Sequence, residues 1–497
     1  MINFKERNDI GKLVIVVGLI VLVPLCILPF FPYEANQAWI FLVPGLSSIF
    51  CGLLICLFGK RKNLVLSWRD NLQSSSISVL FVWFYGFFIS AVPFYLSGDL
   101  DAIQSLFESV SGWTTTGHSV VDVTKTSHLL LFHRAWIQFI GGLGFVMMMV
   151  MLVQSKQAMN LFHAEGHTDN VVPNLKRTAR TIFIMFLGFA FSGTILYRLF
   201  GMPFFDGICH SMSALSTAGF STQPNSIGQY DSLPIEIITE VMMIIGIINF
   251  AVLLLMLKGK LRKAFSVTEV RFGFFILAVA IPIAGFGLFS FLNMSLGEGM
   301  RCAMFNCISA MSTTGYATSD FGTWPAISQC VLIILMYIGG GVGSTAGGIK
   351  LIRIFVLMKV TWMDLKKRVS SDRRVFVASY KRAQGEVFID TAMIKEVCSF
   401  TLMYIFVSLI GTMALAYTAN CTFTEALFDF VSSQGGVGLT SGITGVHSSD
   451  ATLVVEMVGM ILGRLEIFIV LIGIHSTYEV CKRKISLAFR ILKGNGR

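Results

Sequence analysis

The 497-residue chain predicts an all-α integral membrane protein, and three observations carry that reading. Composition is the first: 54% of residues are hydrophobic, 13% are charged, and mean hydropathy is +0.73, whereas soluble domains carry about 25% charged residues. Segment length is the second. Crossing ~30 Å of hydrocarbon takes about 20 apolar residues as helix. Ten segments qualify, at 13–32, 39–59, 77–97, 129–153, 181–200, 234–257, 272–292, 327–358, 396–417 and 452–475. Charge placement is the third. Of 38 Lys and Arg, 33 fall in the lead before the first segment, in 60–69, 154–180, 258–271 and 350–395, and in the tail after 475. Ten crossings put all these stretches on one side, which the positive-inside rule makes cytoplasmic, with both termini. The opposite loops hold twelve Asp or Glu against two basic residues, Lys125 and Arg301. The net charge of +10 therefore reports membrane topology rather than nucleic-acid binding.

Taken in order, MINFKERNDIGK reads as the cytoplasmic lead of a first span, because the apolar run after it is too long for a signal peptide and lacks a small-residue cleavage site. Residues 1–70 form a two-helix preface. Four units follow, at 71–160, 161–260, 261–380 and 381–497, each built around one copy of a repeat: FESVSGWTTTGH at 107–118, CHSMSALSTAGF at 209–220, FNCISAMSTTGY at 305–316 and FDFVSSQGGVGL at 428–439. Aligned without gaps, each copy has a Ser (Ser111, Ser213, Ser309, Ser432) and, six residues on, a Gly (Gly117, Gly219, Gly315, Gly438). The Gly-to-Gly intervals of 102, 96 and 123 residues signal a duplicated unit. Each copy lies between two spans and is too short and polar to cross. It reads as a half-membrane helix and an extended turn that re-enter from one side, which irregular backbone can do only inside protein or beside a watery cavity.

The turns carry the chemistry. Gly at the key position permits positive φ, so neighbouring carbonyls can turn inward, and Thr adds an oxygen. The candidate ion-holding residues are Thr115, Thr116 and Gly117; Thr217, Ala218 and Gly219; Thr313, Thr314 and Gly315; and Gly436, Val437 and Gly438. Four such turns around one axis would make a carbonyl ring that replaces a cation's hydration shell. One TTxG alone would be a polar linker; four gapless copies between spans argue otherwise. Unit four, GGVG at 435–438, departs by lacking Thr, and no copy is a full TVGYG.

Span eight is the second constellation. Its 32 residues would run about 48 Å as one helix, yet its middle reads GGGVGSTAGGIK, with six Gly in the first ten residues. Each Gly costs a helix about 1 kcal/mol relative to Ala. The helix is expected to break into an intramembrane loop containing Gly339, Gly340, Gly341, Gly343, Ser344, Thr345, Gly347 and Gly348, a plausible gate below the ring. Close small-residue packing explains part of this composition. A nucleotide loop does not, because Ile349 rather than Lys follows Gly348. Arg464 in span ten is the third. A mid-bilayer charge costs roughly 2.5–3.5 kcal/mol, and Glu466 does not share its helical face. Arg464 is expected to face the pore or the span-eight loop and hinder cations there, with an ion pair to another helix as the alternative. Arg134, Glu240 and Asn249 read as interhelical bonds.

The scattered cysteines show no CxxC, and His163 and His167 in HAEGH do not match HExxH, so no metal framework is indicated. No acid–base pair or nucleophile marks an enzyme.

The four repeats, GGGVGSTAGGIKLIRI at 339–354 and GRLEIF at 463–468 together resemble the Trk/Ktr/HKT superfamily of potassium transporters, across essentially the whole chain. The two-helix preface favours the Trk branch. The resemblance implies four M1–P–M2 units around one pore, the third M2 helix broken by a gating loop, Arg464 beneath the filter, and a homodimer in the bacterial inner membrane. It also implies K⁺ as the transported ion, with a cytoplasmic TrkA-type ring binding NAD or ATP. Gly117, where sodium-preferring plant relatives have Ser, favours potassium. Carrier-type coupling to H⁺ or Na⁺, and a non-conducting scaffold or sensor, remain the other readings. The longest cytoplasmic segment, 359–395, is shorter than the ~40 residues below which unaided folding is rare, so a nucleotide site would come with a separate subunit.

Overall fold

A computed structural model describes residues 4–58, 68–144, 175–292, 294–370 and 377–494. Helix α1 (Phe4–Leu22) passes into a 3₁₀ stretch at Val23–Phe30, and α2 (Ala38–Phe58) returns beside it. Pro24 and Pro29 account for the change of helix type, since each removes a backbone donor. The two helices meet along Gly11 and Gly18 facing Gly52 and Gly45. A Cβ on Gly18 would stand 2.7 Å from the Gly45 carbonyl oxygen, a close approach that small residues allow between membrane helices.

Four helix–half-helix–helix units follow. The first is α3 (Trp68–Leu96), α4 (Ala102–Trp113) and α5 (His128–Leu143). The second is α6 (Leu175–Leu199), α7 (Phe204–Leu215) and the pair α8 (Leu233–Ile247) and α9 (Phe250–Leu257), trailed by α10 (Leu261–Ala264). The third is α11 (Thr268–Leu292), α12 (Leu296–Ser312), α13 (Ala326–Ile338) and α14 (Leu351–Val369). An antiparallel hairpin, β1 (Ser379–Lys381) with β2 (Glu386–Phe388), pairs Ser379 with Phe388. The fourth unit is α15 (Thr391–Ala419), α16 (Phe423–Gly435), α17 (Asp450–Arg464) and α18 (Ile467–Gly494).

The half-helices start where the sequence caps them. Asp101 with Gln104, Ser295 with Glu298 and Thr422 with Glu425 form capping boxes on α4, α12 and α16, and Pro203 precedes α7. Their C-terminal turns are buried, whereas the long helices show apolar side chains outward: Phe191 is 67% exposed, Phe275 62% and Leu402 73%. Such faces suit hydrocarbon, where the helix satisfies its own backbone.

Helix occupies part of each of the ten apolar segments, but not always as one rod. Among the described residues five stretches are long and apolar enough to cross: Ile10–Phe30, Pro32–Phe58, Arg177–Leu199, Thr268–Leu292 and Thr391–Ala419. The spans expected at 234–257 and 452–475 are instead bent pairs, by 116° between α8 and α9 and by 102° between α17 and α18. Ile248 turns extended and Asn249 caps the next helix in the first, and Glu466 takes φ +54° in the second. The remainder of segment 129–153, and His163 and His167, lie outside the described residues.

Candidate functional site

The four Thr/Gly turns close into a ring. A Cβ on Gly117 would fall within 3.0 Å of the Ala218 carbonyl oxygen, one on Gly219 against Thr314 O, one on Gly315 against Val437 O, and one on Gly438 against Thr116 O. Each glycine thus lies against the carbonyl before the next unit's glycine, and the fourth returns to the first. Only a residue without Cβ permits that approach.

Each turn carries two left-handed residues. Gly117, Gly219, Gly315 and Gly438 have φ of 94°, 75°, 79° and 90°. Two residues earlier, Thr115, Thr217 and Thr313 have φ of 56°, 52° and 59°, and Gly436 has 66°. Alternating the sign of φ brings successive carbonyls to one side of the strand. A side chain in this region costs about 1–2 kcal/mol, so Gly436 relieves in unit four a strain that Thr bears in the others. The GGVG departure has a physical reason.

In units one and four the recurring Ser and Gly are bonded to each other. The Gly117 amide donates to Ser111 Oγ at 3.1 Å and the Gly438 amide to Ser432 Oγ at 3.0 Å. Ser111 Oγ donates to His118 O and Ser309 Oγ to Tyr316 O, both at 2.6 Å.

A second fourfold device escaped the sequence reading. Three residues before each Ser stands a different polar residue: Glu108, His210, Asn306 and Asp429. All four are buried and reach the strand leaving the turn. Glu108 accepts from Ser119 Oγ (3.1 Å) and the Val120 amide (3.2 Å). His210 Nε2 pairs with Ser221 Oγ at 3.0 Å while Nδ1 donates to Asp206 O. Asn306 Nδ2 donates to Thr318 Oγ1 at 2.9 Å. Asp429 accepts from Thr440 Oγ1 (2.6 Å) and the Ser441 amide (2.7 Å). The side chains differ while the position repeats, so only the gapless alignment could have exposed them. Arg134 joins two units: Nε bonds Glu108 Oε1 at 2.6 Å, and Nη1 bonds Ser221 O at 3.2 Å.

One face of the ring opens to a cavity of about 680 Å³ lined by all four glycines with Asp122, Arg134 and Asp320. Hydrogen bonds from Thr124 and Lys125 pull the Asp122 carboxyl down to about 2, so it stays anionic in more acidic solution than a free Asp would.

On the ring's other face, 339–350 runs as irregular backbone between α13 and α14. Gly339, Gly343 and Gly348 take positive φ, and Ser344 Oγ closes on Gly341 O at 2.7 Å. Thr345 Oγ1 reaches Leu215 O (3.2 Å) and Gly246 O (3.0 Å), and Thr217 Oγ1 reaches Thr345 Oγ1 (3.2 Å). The Gly347 amide donates to Thr313 Oγ1 at 2.8 Å, and a Cβ on Gly347 would collide with Gly435 O. Gly340 has its amide toward Gly347 O and its carbonyl on the Leu351 amide. The segment therefore crosses directly under the turns of units two, three and four. Arg464 covers the remaining side: Nη1 donates to Thr345 O at 2.9 Å, and Nη2 to Gly142 O at 3.3 Å and to Gly141 O. Glu466 does not face it but binds Arg353 at 3.1 Å. Asn249, read as an interhelical bond, caps α9 and donates to Val342 O.

The chain resembles known proteins along nearly its full length. The family model described as "TrkH: Cation transport protein" matches residues 52–477. An uncharacterised cation transporter of Methanocaldococcus jannaschii is 27% identical, covering 94% of each chain. The Trk system potassium uptake protein TrkG of Escherichia coli K12 is 29% identical over 83% of this chain and 86% of its own. The crystal structure of the potassium transporter TrkH from Vibrio parahaemolyticus superposes with a TM-score of 0.81 at 26% identity, covering 94% of this chain and 98% of that one.

Proposed function

We propose that this chain, which belongs to the TrkH family of cation transport proteins, takes up K⁺ through the ring of four turns. The family is one of transporters rather than enzymes, and the chain is an all-α, multi-pass membrane protein. The ring carries the reading. Its cyclic glycine–carbonyl contacts bring backbone oxygens of all four units together, which supports a cation filter. The carbonyls of Thr115, Thr116, Gly117 and their counterparts would hold the ion, while the acidic cavity concentrates cations at its mouth.

Loop 339–348 would be the gate, since hydrogen bonds tie it to units two and three and Arg464 clamps it from unit four. A guanidinium under a cation filter also adds an electrostatic barrier. The preface, units and boundaries given above would form one pore per chain, paired as a homodimer with cytoplasmic termini. A TrkA-type ring carrying NAD or ATP would act from the cytoplasm. The names of the relatives, potassium uptake proteins of a Trk system, support the ion and the idea of a partner.

The test is flux into liposomes from the purified chain under a fixed potential. Rb⁺ and K⁺ entry exceeding Na⁺, with none for choline, is the expected result, and it should persist without an H⁺ or Na⁺ gradient. Equal entry of all four ions would overturn the filter, and dependence on a second gradient would make the chain a symporter.

A further inference from the structure

Helix α9 links the intramembrane loop to a surface that nothing in the transport reading uses. Its first turn grips the loop: the Phe250 amide donates to Gly343 O at 3.0 Å, and Asn249 Nδ2 donates to Val342 O. Its last turn runs into an exposed hook at 257–271. Leu257, Leu261 and Phe265 are 58%, 52% and 48% exposed, and they alternate with the exposed cations Lys258, Lys260, Arg262, Lys263 and Arg271. Arg271 Nε donates to Phe265 O at 2.8 Å, holding the hook on the start of α11. Exposed apolar residues interleaved with cations are the pattern of a segment lying in a membrane interface.

Beside the hook an apolar cavity of about 40 Å³ runs between α8, α9 and α11. It is lined by Val252, Val270, Gly273, Phe274 and Leu277, and it ends on Gly341 of the loop. It has room for a water, but apart from Asn249, Glu269 and Ser312 its lining is apolar, so water gains little there. Phe274, on its wall, is 47% exposed. Cations at one end and a dry apolar slot at the other match one molecule: a phospholipid with an anionic headgroup.

We propose that segment 257–271 and the Gly273 cavity bind an anionic phospholipid, headgroup on the hook and acyl end against the loop. Through α9 the lipid biases the position of 339–348. That last step rests on the loop being the gate; the binding step does not.

The experiment uses the full chain and phosphatidylglycerol as the probe. Native mass spectrometry counts retained lipid, and Rb⁺ flux is compared between phosphatidylcholine vesicles and vesicles with one part in four phosphatidylglycerol. The quadruple variant Lys258→Gln, Lys260→Gln, Arg262→Gln, Lys263→Gln should lose retention at least about ten-fold, since each cation near an anionic surface contributes about five-fold. Gly273→Val, which narrows the cavity without touching charge, should also lose retention. Both should abolish the phosphatidylglycerol dependence of flux. The triple variant Lys366→Gln, Lys367→Gln, Arg368→Gln, in another basic cluster, should keep both. Equal retention by wild type and the quadruple variant overturns the site, as does equal loss in the triple variant, which would mean unspecific surface charge. Unchanged lipid retention with loss of a cytoplasmic protein partner reassigns the hook to that partner. Lost retention with unchanged lipid dependence of flux removes the coupling to the gate. Absence of flux in every vesicle would instead bear on the transport reading, leaving the retention result standing.

Discussion

Gly117 shows how little freedom the ring leaves a single residue. Its φ of 94° already disfavours a side chain, and a Cβ there would collide with the backbone oxygen of Ala218. Backbone cannot swing aside as a flexible side chain can, so Gly117→Ser must displace the Ala218 carbonyl of the proposed filter. The K⁺ over Na⁺ permeability ratio should fall in this variant, and an unchanged ratio would count against these turns as the filter. Glu108 constrains the same turn from behind. Arg134 is 2% exposed and Glu108 fully buried, so Glu108→Gln leaves a buried guanidinium without its counter-charge at a cost of about 3–5 kcal/mol. The melting temperature in detergent should drop clearly. Adding Arg134→Met should restore much of it, because removing both charges is far less costly than orphaning one; no recovery would mean that Arg134 matters mainly through its hydrogen bonds to Ser119 Oγ (from Nη2, 2.7 Å) and Ser221 O.

At the scale of elements, the sequence was informative wherever composition or repetition marked a feature. Apolar length located helix in all ten segments, and the Ser–Gly repeat located the turns. Six glycines in ten residues announced the break after α13. The breaks within α8–α9 and α17–α18 went unread because IIGIINF and LGRLEIF contain no proline and only one glycine each. What marks them is relational. Gly141, Gly246 and Gly463 leave room for the carbonyls of Trp113, Leu215 and Gln434, the same position in three half-helices. Arg464 was legible as a misplaced charge, but its partners are backbone carbonyls of distant units, which no side-chain pattern reveals. Hydrogen bonds from a charged donor contribute about 1.5–3 kcal/mol each. If the clamp holds the loop closed, Arg464→Gln should raise basal K⁺ flux about ten-fold or more in liposomes, and shortening 339–348 should do the same. Flux no higher than wild type in both variants would exclude the loop as the gate.

The whole molecule adds a constraint that neither residues nor helices hold alone. One chain builds a fourfold ring from four unequal turns: Thr or Gly at the first left-handed position, and Glu, His, Asn or Asp behind each strand. Every glycine touches the next unit's carbonyl, so a defect in one turn is transmitted to the neighbour rather than confined. Substitutions in independent sites add, whereas those sharing a contact couple by roughly 0.5–3 kcal/mol. The ring therefore predicts a pattern across double variants. Gly117→Ser and Gly219→Ser, in touching turns, should lower the K⁺ over Na⁺ ratio by less than the product of their separate effects, since the first already displaces the carbonyl that the second needs. Gly117→Ser with Gly315→Ser, in turns whose glycines share no contact, should come closer to the product. Permeability ratios for the three single and these two double variants, read from reversal potentials under K⁺ and Na⁺ gradients, decide it. Full multiplicativity in both pairs would mean four independent loops; stronger coupling between touching turns than between opposite ones is the signature of a closed ring acting on one ion.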